Sequence, residues 1–221
     1  MTLLIVSMSA PPMPTQVTTP PAPPKAEFDG LSGYIEIPEI TLIGSLDDFA
    51  SPTHKGHFSI EWDMSFDSSA TSDRYVFSGR DSELYIRPRH PQTPAFWFGD
   101  PSGGTTIGSY PGTPDLPIDD AEHHYKLYSN GVSIHMDMDG VLLEDTEVPF
   151  ELYWKIRYFG VNYYQDRDQL QGTMSNLVIR RNDNILVASY AMDEDYSVTS
   201  VVTDSGPNGY HGTAYNMTST G

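Results

Sequence analysis

The stretch from Tyr125 to Phe150 holds two dipeptides, Asn130-Gly131 and Asp139-Gly140, that dictate how the chain on either side must run. A type I′ turn needs positive φ at both central residues, and Asn-Gly and Asp-Gly adopt it most readily. Between the two turns lies an alternating run. Val132, Ile134, Met136 and Met138 point one way; Ser133, His135 and Asp137 point the other. The pattern predicts a three-stranded antiparallel meander with one apolar face to cover.

The same grammar runs from Tyr34 onward. Ile35 and Ile37 alternate with Tyr34 and Glu36. Phe58, Ile60, Trp62, Met64 and Phe66 line one face of a strand whose other face is Ser59, Glu61, Asp63 and Ser65. In 150–158, Phe150, Leu152, Trp154, Ile156 and Tyr158 point inward, and Glu151, Tyr153, Lys155 and Arg157 outward. Further strands are predicted at 75–77, 84–87, 95–98, 174–180 and 185–191. Pro88, Pro91 and Pro94 bar a central strand between two of them. No stretch longer than two turns has a helical apolar stripe, and no period suggests a solenoid or propeller. Many short strands with frequent turn residues imply an all-β, two-sheet antiparallel sandwich, with a closed barrel as the alternative. Of 221 residues 38% are hydrophobic and 12% aromatic, enough for the core of one large β domain.

Two domains are expected: residues 1–26 as a Pro/Thr-rich extended arm and 27–221 as the sandwich. The arm carries seven prolines between Pro11 and Pro24, which favour polyproline conformation over a packed core. Leu3 to Val6 could add as an edge strand to a neighbour's sheet, so the expected partners of the arm are copies of this chain and other assembly components. Leu3 to Met8 has no preceding Lys or Arg, a poor match to a signal peptide. No run of about 18 apolar residues exists to span a membrane. Residues 99–120 read as a long Gly/Pro-rich loop.

Charge removes one class of function. Twelve Lys and Arg face 30 Asp and Glu, a formal net charge of -18. Nucleic-acid binding through phosphates needs clustered cations, so it is not expected. Cysteine is absent, which excludes disulfides, thiolate metal sites and a Cys nucleophile.

The order of elements resembles the concanavalin A-like jelly roll, in particular laminin-G-like modules, over roughly residues 28–216. Tyr34-Ile-Glu-Ile37 is similar to an early strand of that family. Phe58-Ser-Ile-Glu-Trp-Asp-Met64 resembles its Trp-bearing strand, with Trp62 placed earlier. Val132 to Leu142, with Asp139-Gly140, is similar to its hairpin, and Gly172-Thr-Met-Ser-Asn-Leu-Val-Ile179 to its closing strand. Asp204-Ser-Gly-Pro-Asn-Gly-Tyr-His-Gly212 resembles a stretch that often opens such modules, yet here it follows the closing strand. That layout is similar to tail and capsid-surface proteins of bacteriophages. The resemblance implies a non-enzymatic virion surface module, a capsid decoration or tail-fibre adhesin, anchored by its N-terminal arm. Its location would be the virion surface, or alternatively extracellular. A polysaccharide-active glycoside hydrolase of the same fold, or a secreted lectin, stays open.

The residues themselves narrow the chemistry. Glycosidases of this fold place three carboxylates on one strand face; here Glu61 and Asp63 are followed by Ser65 and Phe66, so the acid/base group is missing. No nucleophile elbow, His-Glu-x-x-His or P-loop occurs. His123 and His124 are adjacent and face opposite ways on a strand. Asp137 and Asp139 are weak candidates for a calcium ion, because the twelfth position of a calcium loop counted from His135 is Thr146, not Glu. No other cofactor is expected. Sugar binding needs aromatic faces for stacking beside polar and charged groups. The candidates are Tyr153, Lys155 and Arg157 on one outward face, Tyr85, Arg87 and Arg89 on another, Tyr163 and Tyr164 beside Asn162 and Asp166 in a loop, and Trp97. The glycan would be cell-surface polysaccharide. The basic strip of Arg87, Arg89, Lys155 and Arg157 could instead meet an acidic patch on a neighbouring copy.

Overall fold

Alternation becomes strand in the computed structural model, which describes residues 22–43, 57–70, 72, 74–80, 82–87, 95–99, 107–108, 119–130, 133–147, 154–166, 168–181 and 184–220. The described residues form strands and no helix. The strands are β1 (Lys25–Asp29), β2 (Tyr34–Ile43), β3 (His57–Phe66), β4 (Arg74–Gly79), β5 (Ser82–Arg87), β6 (Ala95–Gly99), β7 (Ile107–Gly108) and β8 (Glu122–Asn130). They continue as β9 (Ser133–Met138), β10 (Val141–Glu147), β11 (Trp154–Phe159), β12 (Gln171–Arg181), β13 (Ile185–Tyr190), β14 (Val201–Val202), β15 (Gly212–Tyr215) and β16 (Thr218–Thr220).

Two antiparallel sheets result. The first runs β10-β9-β8-β3-β12-β1-β16, with β13 also on β12; the second runs β14-β15-β2-β11-β4-β5-β6-β7. The sandwich expectation holds; among the described residues each sheet runs between two separate end strands and neither closes into a barrel. β3 alternates buried and half-buried along its whole length, as its sequence requires. Its inner face supplies Phe58, Ile60, Trp62, Met64 and Phe66 to a single core shared by both sheets. Trp62 is fully buried, stacks on Tyr125 at 5.5 Å and meets Phe77 of the other sheet edge-on at 6.3 Å. Those ring contacts bind layer to layer beyond simple area burial.

The predicted meander is β8-β9-β10. Its Asp139-Gly140 turn has φ of 51° and 77°, the positive pair a type I′ hairpin needs. At the other turn, Gly131 and Val132 lie outside the described residues, while the Asn130 Oδ1 accepts from the Ser133 N–H at 2.8 Å. The motif from Asp204 is a clamp. The buried Asp204 carboxylate accepts backbone N–H groups of Ser189 at 2.8 Å, Gly206 at 2.7 Å and Tyr210 at 2.8 Å. A buried carboxylate so satisfied stabilises its loop.

Two expectations need adjusting. The expected domain boundary after Ala26 falls inside β1. Ala26 is buried and paired with Met174, because an apolar residue at that position completes the sheet beside β12. Within the long loop, Ile107–Gly108 pairs with Trp97 and Phe98, so the excursion returns to the sheet edge as β7.

Candidate functional site

The second sheet gathers tyrosines on its outer side. The antiparallel register of β2 and β15 sets Tyr34 opposite Tyr215, and their rings stack at 4.7 Å and 18°. Tyr34 meets Tyr158 edge-on at 6.2 Å, Tyr158 meets Tyr163 at 6.1 Å, and Tyr163 meets Tyr164 at 5.5 Å. Tyr158 is buried beneath the group, whereas Tyr215 is 37% and Tyr164 72% exposed. Edge and stacked contacts of this kind fix ring directions and leave outer faces open.

Gly160 makes this arrangement possible. It sits at φ 80°, and a Cβ there would lie 2.3 Å from the Phe28 ring. Only glycine turns the chain so closely over the core. The loop that follows is pinned. The Ser78 hydroxyl donates to the Val161 carbonyl at 2.8 Å. The Asn162 amide donates to Asp166 at 2.7 Å and accepts the Asp166 N–H at 3.1 Å. Asn162 and Asp166, expected to reach sugar hydroxyls, instead hold the loop that presents Tyr163 and Tyr164. Tyr34 O–H donates to Gln165 at 3.3 Å, tying the loop to the stack.

Charge in this region is balanced from within. Arg157 donates to Glu36 Oε1 from Nε at 3.0 Å and from a terminal nitrogen at 2.6 Å, and its guanidinium lies 5.4 Å from the centre of the Tyr158 ring. The Glu36 carboxylate pushes the guanidinium pKa further up. Lys155 donates to Glu39 at 2.7 Å. Lys155 and Arg157 of the basic strip therefore meet acids of β2, a strand more than a hundred residues away in sequence.

The other candidates fare differently. Tyr85, expected on an outward face, is buried: it is 6% exposed and packs on Tyr75 at 5.2 Å. Glu83, Leu84, Tyr85 and Ile86 are all buried, so over these four residues both faces of β5 are covered. Arg87 and Trp97 are placed by backbone only, on β5 and β6, and Tyr153 and Arg89 lie outside the described residues.

Of the two acids named for calcium, Asp139 is engaged by the neighbouring strand. Asp139, turned by its positive φ, accepts the His124 N–H at 2.9 Å and pairs with His123 Nδ1 at 2.6 Å. His123 also reaches Asp119 at 3.2 Å. The hydrogen bond to Asp139, joined by that to Asp119, raises the His123 pKa against the opposing effect of burial; the same bond lowers that of Asp139. Among the described residues no group of three His, Asp or Glu side chains is poised to hold a metal.

The outer face of the first sheet is a polar ladder that the sequence did not single out for binding. Glu61 lies 3.1 Å from Lys126 and 3.5 Å from Arg180. Asp63 pairs with His124 at 2.7 Å and accepts from Asn176 at 2.7 Å. Tyr128 stacks on His135 at 4.7 Å and 17°, with the Lys126 ammonium 5.5 Å from its ring centre. Where β3 begins and β8 and β12 end, this face hollows into a cavity of about 180 Å³ bordered by Tyr128, Lys126, Arg180 and Arg181. Only cross-strand register brings these residues together, and register is not readable from one strand's pattern.

No protein-family model and no curated protein matches this sequence. Solved structures do match in fold. A provisionally assigned carbohydrate-binding protein from Bacteroides ovatus superposes with a TM-score of 0.62 at 14% identity, over 90% of this chain and 59% of its own. The chain thus spans about three fifths of the length of that protein. A heptameric SAP-like pentraxin from Limulus polyphemus gives 0.48 at 12% identity, over 71% and 75% of the two chains. The full-length tailspike protein 2 of an Escherichia coli O157:H7 bacteriophage gives 0.46 at 11% identity, over 81% and 31%. The last two are too distant to bear on this chain. The first shows the fold, a jelly-roll-type antiparallel sandwich, and nothing of function.

Proposed function

We propose that this chain is a non-enzymatic, lectin-like module of the concanavalin A-like type that binds glycans through the tyrosine cluster of its second sheet. The observation that carries the reading is the Tyr34–Tyr215 stack, continued by edge contacts to Tyr164, on a loop held by its own hydrogen bonds. Ring faces stack on the apolar faces of sugars, and Arg157 with Glu36 beside them offers donors and acceptors for hydroxyls. Carbohydrate binding is also what is ascribed to the Bacteroides protein of the same fold. Glu61 and Asp63 are each held by cationic or amide donors, which suits a structural role better than acid/base work. Following the bacteriophage resemblance, the module would sit on a virion surface, with residues 1–26 joining it to other virion proteins or further copies.

Calorimetry of the full chain against neutral oligosaccharides tests the binding. Tyr164→Ala and Tyr215→Ala should each weaken it by about two- to twelvefold, the equivalent of a 0.5–1.5 kcal/mol ring contact. Absence of binding to every sugar tried, or unchanged binding by both variants, would refute the assignment. Removal of residues 1–21, which leaves β1 whole, should abolish attachment to virions; equal attachment would end the anchoring role.

A further inference from the structure

We propose that a second hollow, where the chain enters β1 beside β12, binds the ammonium group of an amino sugar. At about 230 Å³ it is smaller than the roughly 300–1,000 Å³ of pockets for drug-sized ligands, so it suits a single sugar ring. Ser175 borders it. This residue is 5% exposed, and its Oγ is buried with no hydrogen-bond partner among the described residues. Its neighbours Met174 and Leu177 fill the core, which leaves Ser175 on the outer side of the sheet, opposite Asp63 in register. Buried hydroxyls are normally paired, so an orphan beside a hollow points to an atom that comes from outside. The other polar groups offer acceptors. Asn176, at φ 52° in the bulge of β12, donates its amide to Asp63 at 2.7 Å, and its Oδ1 accepts from no described residue. In the acidic turn after β13, Glu194 accepts from Tyr196 at 2.8 Å and from the Thr203 N–H at 2.6 Å, and Asp195 accepts the Ser197 N–H at 3.0 Å. Asp193, the member of that turn that borders the hollow, makes no hydrogen bond or ion pair among the described residues. Lys25 is the one cation among the described lining residues, and it already donates to Glu122. A site so rich in acceptors calls for a ligand that brings protons; an ammonium brings three donors and no acceptor, and its bond to a carboxylate is charge-assisted. Pro23, Pro24 and Ala191 give an apolar wall for ring carbons, and the remaining N–H groups of Lys25 can meet a sugar hydroxyl.

The saccharide part of this inference rests on the proposed function; the preference for an ammonium does not. The site lies on the opposite sheet from the tyrosine cluster, so the two can be separated. The full chain, isotope-labelled, is titrated in mildly acidic buffer with methyl glucosaminide, with neutral methyl glucoside and with ethylammonium chloride, and amide shifts are followed by NMR. The glucosaminide should bind at least about tenfold more tightly than the glucoside, weaken as salt rises, and shift the amides of Asn176 and Asp193. Asp193→Asn, at an exposed position, should cut glucosaminide binding by about tenfold and leave the glucoside unchanged. Ser175→Ala should weaken the glucosaminide by about two- to tenfold, the equivalent of one neutral hydrogen bond. Tyr164→Ala should leave the amine preference intact. Equal affinity for the two sugars, indifference to either hollow variant, or shifts scattered over the acidic surface overturns the proposal. So does ethylammonium binding as tightly as the glucosaminide, which would mark a bare ammonium site. Shifts at Tyr164 and Tyr215 report on the lectin reading separately. If they occur while the amine gains nothing, only this inference fails; if neither set of amides moves with any sugar, the lectin reading fails with it.

Discussion

The two outer faces of the sandwich treat charge in opposite ways. On the second sheet the two cations beside the tyrosines each have their own acid: Arg157 has Glu36, and Lys155 has Glu39. What remains toward solvent is ring surface. On the first sheet Lys126 and Arg180 converge on the single carboxylate of Glu61, and the ring of Tyr128 turns along the wall of a hollow. One chain thus offers an electrically quiet aromatic platform and a cation-lined recess, back to back across one core. The contrast shows that a net charge of -18 says little about any single face. Cross-strand pairing decides which cations are neutralised locally.

The sharpest way to break the comparison is to attack the core both faces share. Trp62→Ala removes the ring between the layers and should cost about 3–5 kcal/mol in urea denaturation. If the variant kept parent stability, the faces would not rest on a common interior. Gly160→Ala should fall mainly on the second sheet. Its Cβ meets the Phe28 ring at 2.3 Å at a φ of 80°, and overpacking with left-handed strain should destabilise by about 3 kcal/mol. Glycan binding through Tyr164 should suffer in the folded fraction. Glu36→Gln is smaller. Both partners are partly exposed, so the stability loss should be about 1 kcal/mol or less, read as a shift in melting midpoint. Freed of its acid, Arg157 should give the second face an anion preference it otherwise lacks.

The smallest effect separates the faces by pH. The raised pKa of His123 means its contribution is complete below the usual histidine value, ~6.5, and lost as pH climbs through the folded value. The lowered pKa of Asp139 works from the other side, present above ~3.9 and lost as pH falls through its folded value. The hairpin end of the first sheet is therefore steadiest in mildly acidic solution. Burial moves the pKa of Tyr34 and of Tyr158 up, further above neutral pH. Urea midpoints at pH 6 and pH 8.5 should differ for the parent and draw together in His123→Gln. An unchanged difference in the variant would clear His123 of the role.

What could be read in advance followed from local geometry. Period-two alternation from Phe58 to Phe66 and the Asp139-Gly140 turn are properties of neighbouring residues, and the strands and hairpin formed where they pointed. Tyr163 and Tyr164 were legible as a pair for the same reason. Their companions were not: Tyr34 and Tyr215 lie at opposite ends of the sandwich sequence and meet only through the β2–β15 register. Lys126, Tyr128 and Arg180 belong to two strands on opposite sides of β3, so their convergence is likewise a product of register. Tyr85 misled because alternation alone cannot tell a strand with one wet face from one covered on both.

The pairing of β1 with β16 bears on how the body withstands pulling. Lys25 faces Thr220, Ala26 faces Ser219 and Glu27 faces Thr218, so the chain enters and leaves at the same end of one ladder. Tension between residue 22 and residue 220 loads those rungs one after another, like opening a zip, rather than all together in shear. Drawn from these two points in an optical trap, the edge should peel away at low force before the layers part. Pulled between residue 22 and Asn130, the molecule should hold to a higher load.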